Sequence, residues 1–180
     1  LLAYSSIEHL GVVTLGFGIG GPASLAALLH LIYHSLTKSM LFLSAGTILL
    51  KYSTTKIANV RGLLTALPVT STLFFMGILT IIGMPPWGIF FTEFAILSAG
   101  IQAYPAVTIA ALLALVLAGV GFIRHLAAME FGPVGELIKP GEFSAWTILP
   151  IFTLAALITW FSVFLPPSMI AFLTKAVLPL

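Results

Sequence analysis

The sequence has no cysteine, which excludes disulfides, cysteine-ligated zinc and iron–sulfur clusters held by its 180 residues. Metal or haem ligation by histidine alone stays open. Charge is also scarce, at 7% of residues against roughly 25% in a soluble domain. Because so few charges cannot cover a surface that faces water, a soluble globular domain is excluded.

Apolar residues make up most of the chain instead, at 60%, with a mean hydropathy of +1.20. This composition predicts an all-α membrane protein surrounded by lipid. The net charge of +2 is explained by a few basic residues at the membrane surfaces, so no nucleic-acid partner is predicted. Since the sequence enters an apolar run directly from Leu1 without a methionine, we expect an internal segment of a longer chain.

The lengths of the uncharged runs predict about five transmembrane helices. One run, which ends at Thr92, has 31 residues, and a continuous helix of that length would rise about 46 Å, more than a bilayer core needs. Pro85 and Pro86 remove backbone donors while Gly83 and Gly88 relax the backbone, so this helix is predicted to be discontinuous at Gly83–Gly88. The predicted spans are 3–20, 23–50, 66–100 in two halves, 105–129 and 144–165.

Residues 1–165 are accordingly predicted to form one transmembrane domain, followed by an interfacial tail at 166–180. With five crossings, the basic residues of the surfaces divide unevenly between the two faces. Those on one face are Lys51, Lys56, Arg61, Arg124 and Lys139. The other face has Lys175 alone, so the first helix is predicted to begin at the cytoplasmic side and the C-terminus to lie outside.

His30, His34 and Lys38 recur at every fourth residue of the second helix, so they share one stripe that rises about 12 Å. Ionisable residues inside a membrane are costly, and histidine exchanges protons near neutral pH, so the stripe predicts a file of proton-binding sites. In the alternative, the histidines bond neighbouring helices and Lys38 extends to the interface. Lys38, however, lies roughly half a bilayer from Lys51.

Glu93 follows the predicted break and has apolar residues on both sides. It is interpreted as a titratable site that interacts with a cation such as Lys38, the alternative being an acid kept neutral by burial.

For the pair Glu8 and His9, two roles stay open: proton uptake from the cytoplasm, or a position at the membrane interface. Arg124 and His125 are interpreted as interfacial. The loop charges, Glu142 included, are interpreted as solvated.

Three segments together resemble a known family. They are Leu2-Ala-Tyr-Ser-Ser6, His30-x3-His34-x3-Lys38-x-x-Leu-Phe-Leu-Ser-Ala-Gly46 and Gly83-Met-Pro-Pro-x-Gly88-x-Phe-x-x-Glu93. The family comprises the antiporter-like membrane subunits of respiratory complex I, multisubunit cation/proton antiporters and energy-converting hydrogenases. The segments Ser-Ser-Ile-Glu-His9 and Met-Pro-Pro-Trp-Gly88 look closest to component F of hydrogenase-4, and the resemblance covers nearly the whole chain.

The resemblance implies a subunit of about fourteen helices with two inverted five-helix repeats, of which this segment is similar to the last five helices. The N-terminal repeat of the same subunit would then be a partner. Lys38 resembles the central lysine of the family, and His30 and His34 resemble the residues that link it to the middle of the subunit. Glu93 resembles the ionisable residue of the second broken helix, where some relatives have lysine.

The resulting hypothesis is a proton-translocating channel module of a membrane-bound oxidoreductase complex, of the energy-converting hydrogenase or NADH dehydrogenase type. Other membrane and peripheral subunits would transfer the electrons, and this chain would need no cofactor, metal site or redox centre. The implied location is the inner membrane of a prokaryote.

Three alternatives remain. One is a sodium/proton antiporter subunit, since a carboxylate also binds sodium. Another is a haem cytochrome that uses His30, His34 or His125, although residues on one helical stripe do not converge on one iron. The last is a structural anchoring subunit, for which deep ionisable residues are costly.

Overall fold

A computed structural model describes residues 1–136 and 138–177 of the chain. The regular structure of these residues is helical, with a short 3-10 turn at Ile57–Asn59. The α-helices are α1 (Leu2–Ile19), α2 (Pro22–Tyr52), α3 (Leu63–Ala66), α4 (Pro68–Ile81), α5 (Gly88–Ala103), α6 (Pro105–Glu130), α7 (Ala145–Val163) and α8 (Pro167–Val177).

Four of these helices, α1, α2, α6 and α7, are long and apolar enough to cross a membrane. The helices α4 and α5 have 14 and 16 residues. They therefore rise only about 21 and 24 Å, less than a bilayer core of about 30 Å. The two make one crossing together, interrupted between Ile81 and Gly88. The prediction of an all-α membrane protein with about five crossings and one discontinuous helix is confirmed.

Local sequence explains where the helices begin. Proline lacks a backbone donor and has a helical φ, so it suits the first turn, where the donor has no partner within the helix. Proline is the first residue of α2, α4, α6 and α8. The turn between α1 and α2 contains Gly20 and Gly21, both with positive φ, which a side chain would disfavour.

Helix α2 lies at the centre and contacts α1, α4, α5, α7 and α8. Small residues bring its neighbours close, as in other membrane helix pairs. A Cβ atom at Gly16 of α1 would lie 2.9 Å from that of Ala27, and one at Gly77 of α4 would lie 2.7 Å from Leu41 Cδ2. By contrast, α6 and α7 expose most of their apolar side chains, the arrangement expected of helices that face lipid.

Contacts between loops show that two connections share one face of the molecule. Lys51 Nζ, at the end of α2, donates to the Gly141 carbonyl at 2.6 Å. Arg61 donates to the Ala128 carbonyl at 2.9 Å. The loops after α2 and after α6 therefore lie on the same side, as the predicted distribution of basic residues requires.

Glu142 is interpreted from the sequence as a solvated loop charge, and its contacts in the structure correct this interpretation. Its carboxylate accepts hydrogen bonds from the backbone N–H groups of Val69 and Thr70, both at 2.9 Å, and from Thr70 Oγ1 at 2.7 Å. These residues begin α4, where backbone N–H groups have no partner within the helix. The acid of a distant loop thus caps the first half of the broken helix.

Candidate functional site

Lys38 lies in the middle of α2, with 16 residues before it to Pro22 and 14 after it to Tyr52, hence about 21 to 24 Å from either end. Its side chain is buried at 6% exposure. The ammonium group donates to the Leu2 carbonyl at 2.5 Å and to the Ser5 hydroxyl. Because its partners belong to α1, Lys38 is held between helices and does not extend to a membrane surface.

Glu8 lies one turn beyond Ser5 on α1, which puts both residues on the same side of that helix. Its carboxylate is half-buried, and Oε1 has no hydrogen-bond partner among the described residues. Glu8 therefore places a carboxyl group beside the point where Lys38 meets α1.

His9 is the residue that joins the other buried polar groups. It is 2% exposed, and its Nδ1 atom lies 3.0 Å from His30 Nε2 and 3.5 Å from Glu93 Oε1. Its ring centroid lies 5.2 Å from that of His30 and 5.0 Å from that of His34. His9 is thus buried between α2 and α5, a different position from the interfacial alternative left open by the sequence.

His30 is fully buried, and its Nδ1 atom lies 2.9 Å from Thr92 Oγ1. The Thr92 hydroxyl has one hydrogen, which it donates to the carbonyls of Ile89 and Gly88 at 2.9 and 3.1 Å. It can then only accept from His30, so we assign the hydrogen of a neutral His30 to Nδ1. The lone pair of His30 Nε2 consequently points toward His9.

Glu93 reaches the break in the helix from the second turn of α5. It is 8% exposed, and its Oε2 atom packs so tightly against Gly83 that a Cβ atom there would overlap it. Oε1, which faces His9, has no hydrogen-bond partner among the described residues. The other side of Glu93 borders a largely apolar cavity of about 400 Å³ between α5 and α6.

The break itself is fixed by α2 and α7. Gly88 N–H, the first donor of α5, is bonded to Ser162 Oγ of α7 at 2.8 Å. Tyr33 of α2 donates to the Phe161 carbonyl at 2.8 Å, and its ring packs against Gly88, where a Cβ atom would overlap it. The predicted break residues Gly83, Pro85, Pro86 and Gly88 all lie in or beside the interruption.

We call five neighbouring buried residues the polar axis: Lys38, His34, His9, His30 and Glu93. His34 lies one turn from Lys38 on α2, and His9 then contacts both His34 and His30. The axis joins a lysine on α2 to a carboxylate on α5 through histidines of two helices. Each histidine has one donor and one acceptor nitrogen when neutral, so the arrangement suits stepwise proton exchange.

Other polar groups of α2 and α6 lie outside this axis. The hydroxyls of Ser35 and Thr37 bond carbonyls of their own helix, so their hydrogens are not directed at the axis. Arg124 and His125 are exposed on α6. Both ring nitrogens of His30 already face polar neighbours, since Nε2 lies 3.0 Å from His9 Nδ1 and Nδ1 lies 2.9 Å from Thr92 Oγ1, which argues against His30 as a haem ligand.

Sequence reasoning gave no role to Ser5 or Thr92 and predicted no metal ligands. One sequence signal could have shown which face of α1 is buried, because Ser5, His9 and Gly16 follow a helical spacing and share that face.

His9, His30 and Glu93 each offer one ligand atom, and these atoms all lie within 4.8 Å of one another. The three residues come from three different helices, so spacing along the sequence could not reveal their convergence.

Residues 1–118 match the family model described as the transmembrane region of NADH:quinone oxidoreductase and Mrp antiporters. The chain belongs to this antiporter-like family. This confirms the resemblance based on the three sequence segments, and residues 1–118 include the whole polar axis.

Curated relatives and solved structures agree with this assignment. A hydrogenase-4 component F homolog of Methylacidiphilum infernorum is 37% identical over 94% of this chain and 35% of its own length. A chloroplastic NAD(P)H-quinone oxidoreductase subunit 5 of Nuphar advena is 40% identical over 51% of this chain and 13% of its own length. The chain thus spans about a third or less of these relatives.

Two solved assemblies contain chains with the same fold. Respiratory complex I from Thermus thermophilus gives a TM-score of 0.86 at 24% identity, covering 98% of this chain and 38% of that one. The Mrp complex from Dietzia gives 0.81 at 17% identity, covering 90% of this chain and 39% of that one. Both likenesses show that this chain has the antiporter-like fold.

Proposed function

We propose that this chain is part of a proton-translocating channel module in a membrane-bound oxidoreductase complex. The observation that carries the proposal is the polar axis: His9 contacts His30, His34 and Glu93, and Lys38 lies one turn from His34 on α2. Deep ionisable groups cost several kcal/mol each in a membrane, so a continuous file of them is expected where protons move.

The route begins at Lys38, beside Glu8 and Ser5 on α1. A proton leaving Lys38 passes to His34 and then to His9, which faces both His30 and Glu93. Protonating His9 makes a second positive charge nearby unfavourable and favours transfer onward to the Glu93 carboxylate. Glu93 lies against Gly83 at the break, where backbone groups outside a helix can bind water and carry the proton away from α2.

The driving force would come from partner subunits. Relatives include a hydrogenase-4 component and NAD(P)H-quinone oxidoreductase subunits, so we propose that electron transfer in neighbouring membrane and peripheral subunits drives this module. Since the chain spans about a third of the hydrogenase-4 component F homolog, we also propose that the N-terminal repeat of the same subunit completes the path. The setting proposed is a prokaryotic inner membrane, with 1–165 in lipid and 166–180 at its surface.

The competing reading is a sodium/proton antiporter subunit. It is favoured by the likeness to the Mrp complex and by Glu93 Oε1, an oxygen with no hydrogen-bond partner among the described residues. A carboxylate of this kind can hold Na⁺ in place of a proton.

The test uses the complete complex in proteoliposomes, with proton uptake followed by a pH-sensitive dye in sodium-containing and sodium-free buffer. We expect Lys38→Ala, His9→Gln and Glu93→Gln each to reduce coupled proton movement to background while the complex still assembles. His125→Gln, on the exposed side of α6, is the matched control and should retain transport. Normal proton movement in any of the three axis variants contradicts the proposal, and transport that requires sodium favours the antiporter.

A further inference from the structure

The buried ligand atoms of His9, His30 and Glu93 form a geometry that protons alone do not require. We propose that they constitute a binding site for one divalent transition-metal ion of the Zn²⁺ class, and that the ion blocks the polar axis. The blocking effect rests on the proposed function, whereas metal binding does not.

The first argument is the convergence of lone pairs. His30 Nε2 carries a lone pair because its Nδ1–H is committed to Thr92 Oγ1 at 2.9 Å. Glu93 Oε1 lies 3.5 Å from His9 Nδ1 and has no hydrogen-bond partner among the described residues. When His9 Nδ1 carries no proton, three lone-pair atoms face one another in a buried environment. Such a position stabilises either a proton or a cation.

The second argument is the spacing. Zn²⁺ binds nitrogen and oxygen at about 2.0 to 2.2 Å, so a tetrahedral site holds its ligand atoms roughly 3.3 to 3.5 Å apart. His9 Nδ1 lies 3.0 Å from His30 Nε2 and 3.5 Å from Glu93 Oε1. The ligand atoms of all three residues lie within 4.8 Å of one another. The largest separation thus exceeds the tetrahedral spacing by at most about 1.5 Å. Rotation of the Glu93 side chain beside its cavity can close this difference.

The third argument is the support around the ligands. A metal-bound histidine usually donates its other ring N–H to a fixed acceptor, which sets its tautomer and orientation. Thr92 provides this acceptor for His30, and its own hydrogen is held by the carbonyls of Ile89 and Gly88. Thr92 directly precedes Glu93, so one turn of α5 supplies both a ligand and the group that orients another ligand.

The ligand chemistry selects the class of ion. Two imidazoles and one carboxylate suit Zn²⁺ and other first-row transition metals, whereas Na⁺, Mg²⁺ and Ca²⁺ prefer sites made of oxygen. Three protein ligands leave a fourth position for water. Because metal ligands must be deprotonated, a bound ion removes these groups from proton exchange.

The binding test uses the complete protein in its purified complex, freed of metal with a chelator and titrated with Zn²⁺ against a fluorescent zinc indicator. The proposal predicts one more Zn²⁺ bound per chain in the wild type than in His9→Gln or Glu93→Gln. Thr92→Val keeps the shape of the side chain but removes the acceptor for His30, so it should weaken Zn²⁺ binding by about 10- to 100-fold. His125→Gln removes an exposed histidine and should bind as the wild type does. Equal Zn²⁺ binding in all these proteins overturns the site.

A separate measurement tests the block and tells the two proposals apart. Buffered Zn²⁺ at saturating occupancy should abolish proton movement in proteoliposomes of the wild type and of His125→Gln, and removal of Zn²⁺ by the chelator should restore it. Loss of proton movement in His9→Gln without any difference in Zn²⁺ binding would overturn the metal site and leave the proton route intact. Site-dependent Zn²⁺ binding with undiminished proton movement would overturn the block, and with it the route through His9.

Discussion

At the scale of single residues, His9 determines whether the buried polar groups form a continuous path. His30 and His34 lie on one helix and Glu93 on another, and His9 is the side chain that contacts all three. An isolated polar group in hydrocarbon costs several kcal/mol, and the hydrogen bond between His9 and His30 reduces that cost for both. Removing His9 therefore leaves His30 Nε2 without its partner.

Gly83 lies at the break, in a position where a side chain would have no space beside Glu93, which leads to a prediction at this scale. It has φ of +71°, and a Cβ atom would overlap Glu93 Oε2. We expect Gly83→Ala to destabilise the protein by about 1 kcal/mol or more and to push Glu93 away from His9, so that proton movement falls strongly. Apparent melting temperature in detergent and proton uptake in proteoliposomes are the measurements.

Gly121→Ala is the matched control for this variant, because a Cβ atom at Gly121 on α6 would meet nothing within 4 Å. It should keep both stability and transport. A Gly83→Ala protein that pumps as well as the control would show that the close packing of Glu93 on the break is not needed.

The residues that the sequence predicts well are those related by helical period. His30, His34 and Lys38 follow from a spacing of four on one helix, and the break follows from Pro85 and Pro86. The contacts of His9 and Thr92 could not be predicted, because they depend on how α1 and α5 pack against α2. Apolar helices in lipid have no hydrophobic driving force that fixes such packing, and small residues and close fit decide it instead.

At the scale of helices, the interrupted crossing is stable because other elements satisfy its free backbone groups. Ser162 of α7 accepts from Gly88 N–H at the start of α5, and Glu142 accepts from two N–H groups at the start of α4. The spans were predictable from apolar length. These partners were not, since Glu142 and Ser162 lie more than seventy residues from the groups that they bond.

The cap on α4 gives a prediction at the scale of this element. Glu142→Ala removes three hydrogen bonds at the first turn of α4, so we expect a loss of about 1 to 2 kcal/mol in stability. The lost acceptor lies at the membrane surface and not in the polar axis, so proton movement per assembled complex should stay near the wild-type level. The apparent melting temperature in detergent checks the first point and proteoliposome transport the second.

Glu136→Ala is the control for charge, because Glu136 is an exposed acid in the same loop. It should leave the melting temperature unchanged. If both variants melt at the same temperature, the hydrogen bonds of Glu142 contribute nothing beyond its charge.

At the scale of the whole molecule, the arrangement of loops predicts the orientation of the chain in the membrane. The loops after α2 and after α6 share one face through the contacts of Lys51 and Arg61, and that face carries most of the surface basic residues. Basic residues favour the cytoplasmic side. Lys38 donates to Leu2 and Ser5 in the first turns of α1. We propose that protons enter the axis from the cytoplasmic side through Lys38 and leave it past Glu93.

The orientation can be tested with single cysteines, because this chain contributes no cysteine of its own. Lys56 is exposed in the loop after α2, and Tyr104 is exposed at the turn between α5 and α6, one crossing away. With other cysteines of the complex replaced, a membrane-impermeant maleimide should label Lys56→Cys in inverted vesicles and Tyr104→Cys in right-side-out vesicles. The reverse pattern would place the loop after α2 outside and reverse the direction of the route. Labelling of both from the same side would mean that α4 and α5 together do not cross the membrane, which would contradict the five-crossing fold.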